Sequence, residues 1–175
     1  MARIKKGYIQ VYTGNGKGKT TAAIGLAVRA CGAGLRVYIA QFIKRGDYSE
    51  IKALKKLSDT IKIEQYGLGR FVGGKPSPED IAISQKGLKR AKAVILSRAY
   101  DVVILEEANV AVKYGLIPVQ DLLKVLIAKP DNVELVITGR GAAPLILASA
   151  DLVTEMHPVK HYFKKGVKAR LGIEK

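Results

Sequence analysis

Residues 11–21 read Val-Tyr-Thr-Gly-Asn-Gly-Lys-Gly-Lys-Thr-Thr, and no other stretch restricts the possible folds of this chain so sharply. Glycines alternate here with one asparagine and two lysines. Each glycine loses more conformational freedom on ordering than any other residue, so the pattern is costly for a simple turn. It reads as a phosphate-binding loop, in which backbone N–H groups turn inward on an anion and the next helix points its positive end at the same spot. In that reading Gly14, Asn15, Gly16, Lys17 and Gly18 form the cradle, Lys19 reaches the outer phosphates, and the Thr20 hydroxyl ligates magnesium or manganese. The general pattern opens with glycine, and Thr13 holds that position here.

The flanks fit the loop. Residues 7–12 alternate like a strand, and residues 20–31 carry the small and aliphatic side chains of a buried helix. Strand-like runs recur at 36–42, 61–66, 101–105, 133–138 and 151–156. Helical patterns fall between most of them. Ser77, Pro78, Glu79 and Asp80 signal a helix start, and Ile81, Ser84, Leu88, Ala91 and Ile95 would share its inner face over 78–99. A second helix is expected over 118–129, with Val119, Leu122, Leu123 and Leu126 inward and Pro130 ending it. Shorter helical pieces fit 48–57 and 143–150. Strand and helix alternating with short connections predict an α/β protein, a three-layer P-loop NTPase-like fold with a mostly parallel central sheet. The apolar runs 102–105 and 135–137 suit its central strands.

A chain of 175 residues fits one domain over 1–175, and 48% hydrophobic with 26% charged residues is ordinary for a globular protein. No apolar run is long enough to span a membrane, and residues 1–6 lead into the first strand without a secretory segment, so the expected location is cytoplasmic. The lone Cys31 is expected in the core and rules out an intrachain disulfide. A formal charge of +15 calls for a polyanionic partner. The basic residues are spread along the chain without regular aromatics, which reads as a solvated surface and disfavours nucleic acid.

In a parallel sheet ligands collect beyond the carboxyl ends of the strands. Glu106 and Glu107 follow the run 101–105, where a P-loop protein places the carboxylate that holds the metal's water shell beside the loop threonine. Lys44 and Arg45 follow the second strand, Gly139-Arg140-Gly141 the fifth, and His157-Pro-Val-Lys-His161 the last. Arg140 between two glycines is suited to a phosphate, and Lys160 and His161 are candidates for nucleotide contacts. The glycine-rich connection 67–77 is the expected substrate-handling loop. On the residues alone, the chain is expected to bind nucleotide and magnesium and to transfer something from ATP. The acceptor stays open.

Thr13-Gly-Asn-Gly-Lys-Gly-Lys-Thr-Thr21, Gln41-Phe-Ile-Lys44, Ile137-Thr-Gly-Arg-Gly141, Pro158-Val-Lys-His161 and Gly166-Val-Lys-Ala169 resemble the ATP:corrinoid adenosyltransferases of cobalamin synthesis and salvage. The likeness spans nearly the whole chain in order, and threonine at the first loop position is that family's own variant. The resemblance implies transfer of the 5′-deoxyadenosyl group of ATP to a reduced cobalt(I) corrinoid with release of triphosphate. It also implies a homodimer and an external reductant, such as a flavoprotein. Lys19, Thr20 and Glu107 would be catalytic, Thr20, Glu106 and Glu107 would hold the metal, and Phe71 would lie under the corrin. The family usually carries aspartate at the position of Glu106, and a tryptophan where Gly73 stands. Two other readings of the residues are a P-loop phosphotransferase or ATPase, with Glu106 or Glu107 orienting the attacking group, and an ATP-regulated nucleic-acid-binding protein.

Overall fold

A computed structural model describes residues 4–56, 59–69 and 75–174. Strands β1 (Ile9–Thr13), β2 (Val37–Phe42), β3 (Ile61–Tyr66), β4 (Val102–Glu106), β5 (Glu134–Thr138) and β6 (Leu152–Glu155) form one sheet in the order β3-β2-β4-β5-β1-β6. Every pairing among them is parallel. The helices are α1 (Lys19–Gly32), α2 (Ser49–Lys55), α3 (Pro78–Ser97), α4 (Ala108–Lys113), α5 (Val119–Ile127) and α6 (Pro144–Ala148), followed by a 3₁₀ turn at Tyr162–Lys165.

Alternation along the strands divides the core into two faces. Val102 and Ile104 of β4 pack with Ala23, Ala27 and Ala30 of α1 and Leu54 of α2. Val103 and Leu105 pack on the other face with Leu88, Ala91 and Ile95 of α3, Ala108 and Ala111 of α4, Leu122 and Leu126 of α5, and Ile146 of α6. Two covered faces give the three expected layers, and the central strands β4 and β5 are apolar on both sides because both sides are buried.

The helix signals hold in detail at α3. Ser77 accepts from the Asp80 N–H, and the Asp80 carboxylate returns a bond to the Ser77 N–H, so two orphan donors of the first turn are satisfied together. Ser84, Leu88, Ala91 and Ile95 are buried and Ile81 is half-buried against them. In α5 the buried residues are Leu122, Val125 and Leu126, while Val119 and Leu123 lie at the margin. Helix α4 departs from expectation: it begins two residues after β4 ends, too short to show a helical period. Cys31 also differs, being half-buried with its thiol 2.5 Å from the Thr60 hydroxyl at the edge of the smaller core cluster. Of the glycine-rich connection 67–77, residues 70–74 lie outside the described residues, and with them Phe71 and Gly73.

Candidate active site

The phosphate-loop sequence leaves β1 and enters α1 as expected, and its nearest support is the end of β6. Met156 N–H donates to Thr13 O at 2.9 Å, and Gly16 N–H donates to Met156 O at 2.6 Å. A Cβ on Gly16 would stand 2.7 Å from Met156 O, and one on Gly14 (φ +92°) would stand 2.5 Å from it. Those two glycines are therefore required by the close approach of Met156 as well as by the turn itself. Thr13 has its own task. Its buried hydroxyl accepts from Ala142 N–H at 3.3 Å, and Tyr12 O accepts from Gly139 N–H at 3.1 Å, which ties the Arg140 loop to the end of β1. Gly139 (φ +127°) and Gly141 (φ +66°) make the turn that presents Arg140.

The Lys19 side chain is buried, and its Nζ donates to Gly14 O at 2.7 Å and Gly16 O at 2.6 Å. A lysine reaching only for phosphate should have no role in the protein interior. This one braces its own loop. Burial, reinforced by the Arg140 charge, lowers its pKa below the ordinary lysine value, with Glu107 opposing.

Next to the loop, the Thr20 hydroxyl donates to Glu106 Oε1 at 2.6 Å, and Lys44 Nζ approaches the same oxygen at 3.1 Å. Glu106 is 2% exposed, and its Oε2 has no hydrogen-bond partner among the described residues. A buried carboxylate oxygen left open beside a threonine hydroxyl is a donor set of hard oxygens, which suits a small divalent cation. Lys44 is aimed there by an unusual backbone. Ile43 has φ +66°, rare for a β-branched residue, and Lys44 N–H turns back on Phe42 O at 2.7 Å. Burial alone would lower the Lys44 pKa, but Glu106 and Glu107 outweigh it and hold the ammonium above its ordinary value.

Glu107 also adopts a left-handed backbone (φ +60°), and its N–H donates to the Thr138 hydroxyl at 3.0 Å, so β4 and β5 together fix the turn into α4. Burial and the adjacent Glu106 charge push its carboxyl up.

These side chains border a cleft of about 630 Å³, in the range of small-molecule sites. Of the candidates read from the sequence, Gly16, Lys17, Gly18, Lys19, Thr20, Glu107, Arg140 and His161 line it. Glu106 lies buried behind Thr20. Gly14 is buried and Asn15 exposed, both outside the lining, and Lys160 is exposed in a separate hollow of about 250 Å³ with His157 and Tyr162. Phe71 falls outside the described residues. The sequence reading assigned no role to Met156, Glu50 or Glu174, nor to Lys44 beyond its place after a strand and in the motif Gln41-Phe-Ile-Lys44. Lys44 carried a usable signal in its position at a strand end and within that motif.

Six parallel strands covered on both faces, with a glycine-rich loop after β1 and a buried carboxylate at the end of β4, define a P-loop NTPase-like α/β domain. A sequence model of the family ATP:corrinoid adenosyltransferase BtuR/CobO/CobP matches residues 5–174. The chain belongs to this family of transferases. It is 36% identical to the corrinoid adenosyltransferase of Pseudomonas aeruginosa over 174 residues, covering 99% of this chain and 86% of that one. It is likewise 36% identical over 173 residues to the corrinoid adenosyltransferase of Escherichia coli K12 and to the corrinoid adenosyltransferase CobA of Salmonella typhimurium, covering 99% of this chain and 88% of each relative.

Proposed function

We propose that the chain acts as one domain over residues 1–175 and transfers the 5′-deoxyadenosyl group of ATP to the cobalt(I) of a reduced corrinoid, releasing triphosphate. The carrying observation is the Thr20–Glu106 contact behind Lys19, at the strand ends where a triphosphate and its cation would meet. In this reaction the substrate's metal centre forms a bond to the ribose 5′-carbon as the 5′ carbon–oxygen bond breaks, and the electron pair leaves on triphosphate. The protein need not remove a proton from the nucleophile. It must hold the leaving group.

Gly16, Gly18, Lys19 and Arg140 are suited to that task, since Lys19 and Arg140 bring positive charge to a loop whose helix adds its own positive end. For Lys19 this means exchanging Gly14 O and Gly16 O for phosphate oxygens. Thr20, Glu106 and Glu107 would hold magnesium or manganese, which when bound would offset charge on the departing triphosphate. Lys44 limits the negative charge on the carboxylate pair. His161 lines the cleft with its Nδ1 occupied by the Phe163 N–H at 3.1 Å, which leaves Nε2 for ligand. Asn15, Gly14 and Lys160 act from outside the lining, and Phe71 supports the corrinoid. The working form is a cytoplasmic homodimer served by an external reductant such as a flavoprotein. Among the described residues no helix is long and apolar enough to cross a membrane.

The test is to mix protein, magnesium, ATP and a chemically reduced corrinoid and identify both products. Triphosphate should form in step with a light-sensitive cobalt–carbon bond, with little ATP turnover when the corrinoid is left out. Brisk corrinoid-independent release of ADP and phosphate would replace this reading with an ATPase in which Glu107 orients water.

A further inference from the structure

The two lysines of the phosphate loop face different partners. Lys19 turns into the loop, whereas Lys17 Nζ donates to Tyr162 Oη at 3.0 Å, Ile173 O at 3.0 Å and Glu174 Oε1 at 2.8 Å. An ammonium has three hydrogens, and the C-terminal segment takes all of them. Glu174 is the hub of this segment. Its carboxylate also accepts from Arg170 N–H at 2.9 Å, Arg170 Nε at 3.2 Å, Arg170 Nη2 at 3.0 Å and the Tyr162 hydroxyl. The Arg170 guanidinium lies over the Tyr162 ring, 5.1 Å from its centroid. Gly172, Ile173 and Glu174 border the same cleft as Lys19 and Thr20.

We infer that residues 170–174 are a strap forming one wall of the nucleotide cleft, against the nucleoside part of ATP, and that Lys17 is a positioning residue that anchors this strap and does not bind phosphate. The inference rests on the ATP reading above. An alternative is that Glu174 merely stands in for a phosphate on Lys17 and leaves when ATP arrives. The bonding argues against it: four of the five contacts to Glu174 come from Tyr162 and Arg170, within the C-terminal stretch 162–174, and only one from the loop. A carboxylate held in this way keeps its place in that stretch when phosphate arrives, and Lys17 keeps its bonds to Tyr162, Ile173 and Glu174. Ile173, 55% exposed, gives the wall an apolar side chain. A nucleoside has use for one, and a triphosphate does not.

The experiment titrates ATP with magnesium, and separately inorganic tripolyphosphate, into the full-length wild type, Lys17→Met, Glu174→Gln and the double variant, with amide exchange of residues 162–174 followed in each. Both single variants should weaken ATP binding by a similar factor, about 3- to 10-fold, with the double variant no more than about twofold worse, the signature of two residues acting as one unit. Exchange in the strap should rise in all three variants. Tripolyphosphate affinity should stay within about twofold of wild type, since the strap faces the nucleoside. A Lys17→Met variant that loses both ligands while Glu174→Gln loses neither would make Lys17 a phosphate ligand and end the proposal. Tighter ATP binding by Glu174→Gln would make the segment a competitor, and additive losses would uncouple the pair; either overturns it. A wild type that bound neither ligand would overturn the ATP reading and the strap's part in it together, whereas ATP binding unchanged in all variants would overturn the strap alone.

Discussion

The Thr20 hydroxyl donates to Glu106 Oε1 at 2.6 Å, joining the first turn of α1 to the end of β4 across 86 positions of chain. The second oxygen of that carboxylate is buried and open. Burying a carboxylate with an unused oxygen is costly unless something positive completes it. Lys44 supplies part of the compensation from one side, and a cation would supply the rest.

Glu106→Gln keeps the shape and removes the charge. The magnesium concentration needed for half-maximal activity should rise at least about tenfold, with the circular dichroism spectrum unchanged. A magnesium titration of ATP turnover that superimposed on the wild-type curve would remove Glu106 from the metal site.

Lys19→Ala should have two effects, because the same ammonium serves ligand and loop. ATP affinity should fall by at least about tenfold, and the loss of two bonds to Gly14 O and Gly16 O should cost about 1–3 kcal/mol of stability. Isothermal titration and thermal melting read these separately. Unchanged ATP affinity would contradict the assignment, whereas an unchanged Tm would contradict only the bracing role.

Gly16→Ala and Gly25→Ala should shift Tm in opposite directions. The first sets a Cβ 2.7 Å from Met156 O, so the loop must leave the end of β6. The second lies exposed within α1 with nothing within 4 Å of the added atom, and alanine there should stabilise by roughly 0.5–1 kcal/mol. Melting curves of both variants in the absence of nucleotide check the pair.

Glu64 predicts an acid dependence. Burial works against its charge, but hydrogen bonds from Tyr66, Tyr38 and Arg90 prevail and bring its pKa from 4.5 down to about 2. A folded-state pKa below the unfolded one means stability that is complete above pH 4.5 and lost as pH falls through about 2. The Tm difference between wild type and Glu64→Gln should be widest above that window and close across it. A constant difference would show that the charge is not what matters.

The layers of the fold were legible because buried parallel strands need apolar residues on both faces, and β4 and β5 supply them without interruption. Ser77, Pro78 and Asp80 announced α3 because capping chemistry is local. Helix α4 gave no warning, since its entry depends on a left-handed Glu107, a conformation that glutamate does not advertise. At the site, Thr20 and Glu106 could be paired in advance because each follows a strand whose place in the sheet is constrained. Lys44 stood in the right place but received no role, as its direction depends on the positive φ of Ile43. The double duty of Lys19 and the partners of Lys17 could not be read at all. The Lys17–Glu174 contact spans 157 positions and leaves no trace in local spacing.

Strand β1 takes its two neighbours, β5 and β6, from the far end of the chain, and Met156 supports the loop that follows it. On a ribosome the loop therefore emerges well ahead of the strands that enclose it and waits for them on the order of ten seconds. Until then β1 has two open edges and the loop glycines have no Met156 to rest on. Nascent chains stopped before β6 should lack a nucleotide pocket even with every loop residue already made, so the motif is complete as sequence long before it is complete as structure.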